Sequence, residues 1–131
     1  MNEKSLVLAL VKVLRVELQN CVIFKHADRV TAGIPDLSVT WRRRTTWLEV
    51  KYANPKVVDR GLQNFVMKQL AISGSAYYVI YDVPGSRTLI VRPSEIEGNL
   101  WKTLLQANAP GFDHHLVSWF IKQLHTSNMN L

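Results

Sequence analysis

The sequence predicts one α/β domain over residues 1–131: a mixed central sheet flanked by helices, in the order αβββαβ, followed by C-terminal helices. Three observations predict it. The chain opens with a helical apolar stripe, Leu6, Leu10, Val13 and Leu14, with Lys4, Lys12 and Arg15 outside it. Residues 33–51 then alternate apolar and polar on both sides of a turn, as a β-hairpin does. Finally, a helical stretch at 58–73 separates that hairpin from an aromatic, β-branched run at 76–82. A strand–helix–strand unit of this kind makes a right-handed crossover between parallel strands.

Taken in order, Asn2 caps a first helix that runs from Glu3 to about Asn20. Residues 21–25 (CVIFK) form a short edge strand, and a polar loop from His26 to Ala32 leads into Gly33. Pro35 fixes φ and lacks an N–H, which suits the first residue of a strand. Trp41 to Arg44 is read as a four-residue hairpin loop. Pro55 stops the second hairpin strand, and the following helix takes Leu62, Phe65, Val66, Leu70 and Ile72 as its apolar stripe. Residues 76–82 form a central strand, residues 83–86 a turn, and residues 87–92 an antiparallel partner. Ser94 and Glu97 have the spacing of a capping box, so a helix is expected from there, with Leu100, Trp101, Leu104 and Leu105 on its apolar face. After a break at 108–111, Asp113 caps a last helix to about His125. The core is thus residues 1–92, and 93–125 is a helical extension.

The hairpin organises the chemistry. In its predicted register Leu37 faces Leu48, Val39 faces Thr46, and Asp36 lies opposite Glu49. Side chains alternate faces along a strand, so Glu49 and Lys51 share a face with Asp36, while Leu37, Val39, Leu48 and Val50 point to the core. A slip of one residue would misplace both sets at once. Opposed carboxylates repel unless a cation lies between them. Mg²⁺ prefers oxygen ligands and keeps several waters, and such an ion can activate water and offset charge building on a phosphate. A lysine beside it can orient the water or neutralise the phosphate.

Pro35-Asp36 followed by Glu49-Val50-Lys51 resembles the PD-(D/E)XK nuclease superfamily. The finer pattern, Gly33-Ile34-Pro35-Asp36-Leu37, a hairpin, Glu49-Val50-Lys51 and a helix carrying Gln63, resembles its VRR-NUC branch over roughly residues 1–92. The tyrosine that usually follows the helix glutamine by four positions is replaced by Met67. The resemblance implies a restriction-endonuclease-like fold and a Mg²⁺- or Mn²⁺-dependent endonuclease acting on DNA, with branched DNA and a homodimer as the expected substrate form and assembly. It implies that Asp36, Glu49, the Val50 carbonyl and a helix acid hold the metal, that Lys51 positions the water, and that Gln63 supports the site. The helix acid is Glu3 or Glu17. Glu3 matches the family position better; Glu17 faces nearly the same way but lies ~21 Å along the axis, so both cannot reach the site.

Composition agrees with that class. The formal charge of +6 favours a polyanionic partner. Arg42, Arg43 and Arg44 form a cationic run beside Trp41 and Trp47, suited to a nucleic-acid backbone or an unstacked base. Arg29, Lys56 and Arg60 lie in segments flanking the hairpin end and complete the expected DNA contacts. The lone Cys21 excludes an internal disulfide and, packed behind an apolar helix, is not read as a nucleophile. His114 and His115 are adjacent and diverge on a helix, a poor metal pair. No run of ~20 apolar residues is present and no signal peptide is recognised, so an intracellular, cytoplasmic protein is expected, in host cytoplasm if viral. Two other readings use the same residues: an inert nucleic-acid-binding module on a nuclease fold, and an adaptor for an acidic protein surface.

Overall fold

A computed structural model describes residues 2–26, 33–54, 61–97, 100–101 and 107–129. Helix α1 spans Glu3–Glu17. The Asn2 side chain accepts from the Ser5 N–H at 2.9 Å, and Ser5 Oγ accepts from the Asn2 N–H at 3.1 Å, so the cap is reciprocal and fixes where the helix starts. The helix stops three residues before the expected end, where Asn20 turns to φ 65°. Its buried face, Leu6, Leu10, Val11 and Leu14, is the predicted stripe with Val11 in place of Val13.

Six strands form one sheet, β1 (Val22–Lys25), β2 (Leu37–Trp41), β3 (Arg44–Ala53), β4 (Ser75–Asp82), β5 (Arg87–Val91) and β8 (Ala107–Pro110), in the spatial order β1-β2-β3-β4-β5-β8. The β2–β3 register is the one expected: Leu37 opposite Leu48 and Val39 opposite Thr46. Strands β3 and β4 are parallel, joined through α2 (Gly61–Ser73), and the remaining pairs are antiparallel. The sheet is therefore mixed, with helices on both faces.

On one face α1 and α3 (His115–Met129) bury Leu37, Val39, Leu48, Val50, Val79, Tyr81 and Ile90. On the other, α2 and a 3-10 turn at Pro93–Glu95 cover Ala53, Ala76, Tyr78, Ile80, Leu89 and Val91. Among the described residues no helix is long and apolar enough to cross a membrane.

Three local expectations are corrected. The hairpin loop is shorter than four residues: Trp41 pairs with Arg44, and only Arg42 and Arg43 turn, at φ 50° and 68°. Two left-handed residues in succession are the geometry that suits twisted strands, and they normally favour Asn-Gly; placing two arginines there costs about 1–2 kcal/mol each. Second, α2 presents a different face to the sheet. Leu62, Phe65 and Ile72 are exposed, whereas Asn64 and Met67 are buried, because Tyr78 Oη reaches up from β4 to donate to Asn64 Oδ1 at 3.0 Å.

Third, no helix begins at Ser94. Residues 93–95 make one 3-10 turn, and β6 (Ile96–Glu97) pairs with β7 (Leu100–Trp101). The expected break at 108–111 falls largely in β8, which pairs with β5 and is itself the edge strand on that side of the sheet. Among the described residues the C-terminal extension thus holds one helix, α3, capped as expected by the Asp113 carboxylate, which accepts from the N–H groups of His115 and Leu116.

Arg44 is committed to this architecture. Its guanidinium donates to Ser75 Oγ at 2.6 and 3.1 Å and to the Leu124 carbonyl at 2.8 Å, tying the start of β4 to α3. Charge-assisted hydrogen bonds of this kind contribute about 1.5–3 kcal/mol each. Urea unfolding of Arg44→Ala is expected to show about 2–3 kcal/mol less stability, and Arg44→Lys to recover little of it, because an ammonium lacks the planar fork.

Candidate active site

The turn before β2 places Asp36. Gly33 sits at φ +83°, and a Cβ there would come within 3.1 Å of Val66 and 3.2 Å of the Leu62 carbonyl, so glycine lets the chain pass under α2. Pro35 is buried, and Asp36 then lies opposite Glu49 as the strands begin to pair.

Here β2 has just started, and β3 continues past it. The N–H of Val50 points to the side β2 would occupy and donates to Asp36 Oδ2 at 2.8 Å. Two residues on, the Tyr52 N–H donates to Glu3 Oε1 at 3.2 Å. Two carboxylates thus take over as acceptors along an uncovered strand edge. In a strand the N–H and C=O of one residue point to the same side, so the Val50 carbonyl emerges between Asp36 and Glu3. Glu49 Oε1 accepts from the Asp36 N–H at 3.1 Å, and Glu49 Oε2 lies 3.2 Å from Lys51 Nζ. Lys51 Nζ also donates to Gln63 Oε1 at 2.8 Å.

The structure therefore gathers Glu3, Asp36, Glu49, Val50, Lys51 and Gln63 at one end of the hairpin. Glu17 is elsewhere: it accepts from Ser118 Oγ at 2.7 Å and pairs with His115 Nδ1 at 2.6 Å, linking α1 to α3. His114 turns the other way, onto Tyr81 Oη at 2.7 Å. Glu49 and Lys51 are buried, 4% and 6% exposed. Burial, and then the neighbouring Asp36 charge, push the Glu49 carboxyl up to about 8, against the pull of Lys51.

Every donor in the set is an oxygen, three carboxylates and one backbone carbonyl, which fits a hard divalent cation rather than zinc or copper. Among the described residues no three acidic, histidine or cysteine side chains are close enough to hold an ion by themselves. A backbone carbonyl and retained waters would have to complete the shell, as Mg²⁺ ordinarily allows.

A cleft of about 410 Å³ opens at Asp36 and Glu3, lined also by Lys4, Val7, Leu8, Lys25 and His26. Lys4 and Lys25 were not anticipated as site residues. Lys25 stands opposite Leu37, one pair from Asp36, but no tight turn links β1 to β2, so the sequence carries no register signal for it. Arg42 and Arg43 are exposed at the far end of the hairpin, about five residues at ~3.3 Å each from Asp36, with the Arg42 guanidinium 4.4 Å above the Trp41 ring. Arg29, Lys56 and Arg60 lie outside the described residues.

No family model and no curated protein sequence matches the chain. Among solved structures, the chain matches Hjc of Archaeoglobus fulgidus, a Holliday junction resolvase from an archaeal hyperthermophile, at 14% identity and a TM-score of 0.55, over 92% of this chain and 96% of that one. Near-complete coverage of both chains extends the match beyond the hairpin to the whole sheet and its helices, and the protein has the mixed-sheet, restriction-endonuclease-like fold of that resolvase.

Proposed function

We propose that this protein is a Mg²⁺- or Mn²⁺-dependent endonuclease that hydrolyses phosphodiester bonds in DNA, of the PD-(D/E)XK type and VRR-NUC-like, acting as a homodimer on branched DNA. The observation that carries the reading is the convergence of Asp36, Glu49 and Lys51, with Glu3 and Gln63 beside them, at one end of the hairpin, next to a cleft that Lys4 and Lys25 also line. The shared fold with a Holliday junction resolvase and the charge of +6 support the nucleic-acid substrate.

In this reading Asp36, Glu49, the Val50 carbonyl and Glu3 would hold the metal, which when bound would supply water activation and offset charge on the phosphate in transit. Lys4, Lys25 and His26 draw the sugar-phosphate backbone into the cleft, and Arg42 and Arg43 engage it at a distance. Lys51, anchored by Glu49 and Gln63, aims a donor at the water or at a phosphate oxygen. Water adds to phosphorus as one ester P–O bond breaks: the water oxygen stays on the phosphate monoester and a proton passes to the leaving oxygen, which departs as a hydroxyl.

One observation favours a second reading. With Glu49 protonated near neutral pH and Lys51 already engaged, the same residues could simply stabilise a DNA-binding module. The two part in one assay. Four-way junction, flap, linear duplex and single-stranded DNA are incubated with Mg²⁺, Mn²⁺ or EDTA. The nuclease reading expects metal-dependent cuts, strongest on branched DNA and lost in Asp36→Asn. Salt-sensitive binding without any cut, equal in Asp36→Asn, would hand the protein to the binder reading.

A further inference from the structure

The sheet face that carries Asp36 and Glu49 also carries an aromatic row next to them. The register sets Phe24 opposite Ser38 and Ser38 opposite Trp47, so the three share one face across β1, β2 and β3. One step along, the His26 N–H donates to the Asp36 carbonyl at 2.8 Å, which continues the ladder and makes His26–Asp36–Glu49 the neighbouring row. The two rows are two residues apart, about 7 Å.

Phe24 stays 61% exposed, an unusual place for a large aromatic on a strand beside two lysine-bearing segments. Beside it on the same face two rings pack together. The His26 ring stacks on Trp47 with centroids 5.3 Å apart and planes at 30°, and His26 Nε2 is held by Ser38 Oγ at 2.9 Å. Trp47 in turn borders a hollow of about 400 Å³ that reaches Arg43. No acidic residue occurs among Val22, Phe24, Ser38, Thr40, Thr45 and Trp47, which line this part of the face. An acid-free face with aromatic rings, Arg43 at its far end, and Lys25 next to Phe24 in the edge strand but projecting to the opposite face, matches a single nucleic-acid strand that crosses this edge: phosphates to the cations, base to the ring.

We propose that Phe24, with the His26–Trp47 pair beside it on the same face, is a stacking platform for an unpaired DNA base adjacent to the phosphate at the Asp36 end of the hairpin. This rests on the nuclease reading and sharpens it: the substrate has an unpaired nucleotide beside the cut, and a fully paired duplex leaves the platform empty. The aromatic face tolerates every base, so it selects strand opening rather than sequence.

Binding is measured in EDTA, where nothing is cut, with wild type, Phe24→Ala and Phe24→Trp. The ligands are single-stranded DNA, a flap carrying 2-aminopurine at its first unpaired position, a blunt duplex of equal length, and single-stranded RNA of the same sequence. Phe24→Ala is expected to weaken single-strand and flap binding about tenfold and leave the duplex within twofold, because stacking is worth about 1–3 kcal/mol per base and a tenfold change is ~1.4 kcal/mol. Phe24→Trp restores affinity, and 2-aminopurine is quenched by wild type and Phe24→Trp alone. An equal loss on all DNAs, no loss, no DNA binding, or tighter Phe24-dependent binding of RNA than of DNA would overturn the platform. Cleavage is scored separately: wild-type cutting with an unaltered Phe24→Ala profile removes the platform alone, whereas a Phe24-dependent profile without any cutting removes the nuclease reading alone.

Discussion

Single-turnover cleavage by Lys51→Ala is expected to fall about a thousandfold, while its affinity for DNA stays within a few-fold of wild type. The expectation comes from counting donors. An ammonium group has three N–H bonds. Gln63 Oε1 takes one at 2.8 Å and Glu49 Oε2 takes another at 3.2 Å, which leaves one to point into the site from a side chain only 6% exposed. A donor fixed in advance at a reacting centre needs no reorganisation when charge develops, and losing one such donor costs about 10²–10³ in rate. Binding changes little because the cleft lysines, Lys4 and Lys25, remain. Lys51→Arg is not expected to rescue, since a longer planar fork cannot keep both anchors and the same third direction. Gln63→Ala, which frees one anchor and keeps the charge, is expected to lose about tenfold. A Lys51→Ala variant that cuts at the wild-type rate would remove Lys51 from the chemistry. The variant should fold: Glu49 already tends to hold a proton, so it can remain neutral once its cation is gone.

The hairpin could be read in advance because its two constraints coincide. The register that buries Leu37, Val39, Leu48 and Val50 is also the one that aligns Asp36 with Glu49 and Lys51, and a period of two tolerates no drift. The parallel pairing of β3 with β4 followed from the strand–helix–strand order. What failed was decided by partners distant in sequence. The capping-box spacing of Ser94 and Glu97 is a local helix signal, but pairing of Ile96 with Trp101 took those residues into strands. On α2 the more apolar stripe points inward by pattern alone, yet the side over β3 and β4 must satisfy Lys51 and Tyr78, so Gln63 and Asn64 face the sheet and Leu62, Phe65 and Ile72 do not. The choice between Glu3 and Glu17 is likewise spatial. Only the uncovered Tyr52 N–H brings Glu3 in, while Ser118 and His115 claim Glu17. The three arginines, alike in sequence, separate: two are exposed in the turn and Arg44 is bound into the fold.

In metal-free protein, the stability difference between wild type and Glu49→Gln is expected to shift steadily against wild type as pH rises from about 5 to 8. Glu49 has a folded value of about 8, against 4.5 for the free side chain. Between those values the folded state keeps a proton that the unfolded state has released. The resulting stability is fully present below about 4.5 and is lost as pH climbs through about 8. One proton corresponds to about 1.4 kcal/mol per pH unit, so the window is worth a few kcal/mol at most. Glutamine cannot titrate, and subtracting its profile cancels the contributions of Glu17, His114 and His125, which the two proteins share. Urea unfolding in EDTA at pH 5, 6, 7 and 8 measures the difference, and a flat difference would mean that Glu49 is an ordinary carboxylate. The same proton links stability to metal. A ligand carboxylate must be ionised, so binding of Mg²⁺ or Mn²⁺ should release close to one proton at pH 7 in wild type and none in Glu49→Gln. Titration calorimetry in two buffers of different ionisation enthalpy reads that number directly. On the nuclease reading, burial then has a function at this site: it keeps the acidic pair from repelling itself apart while empty, and it would make ionisation of Glu49 conditional on the arrival of a cation.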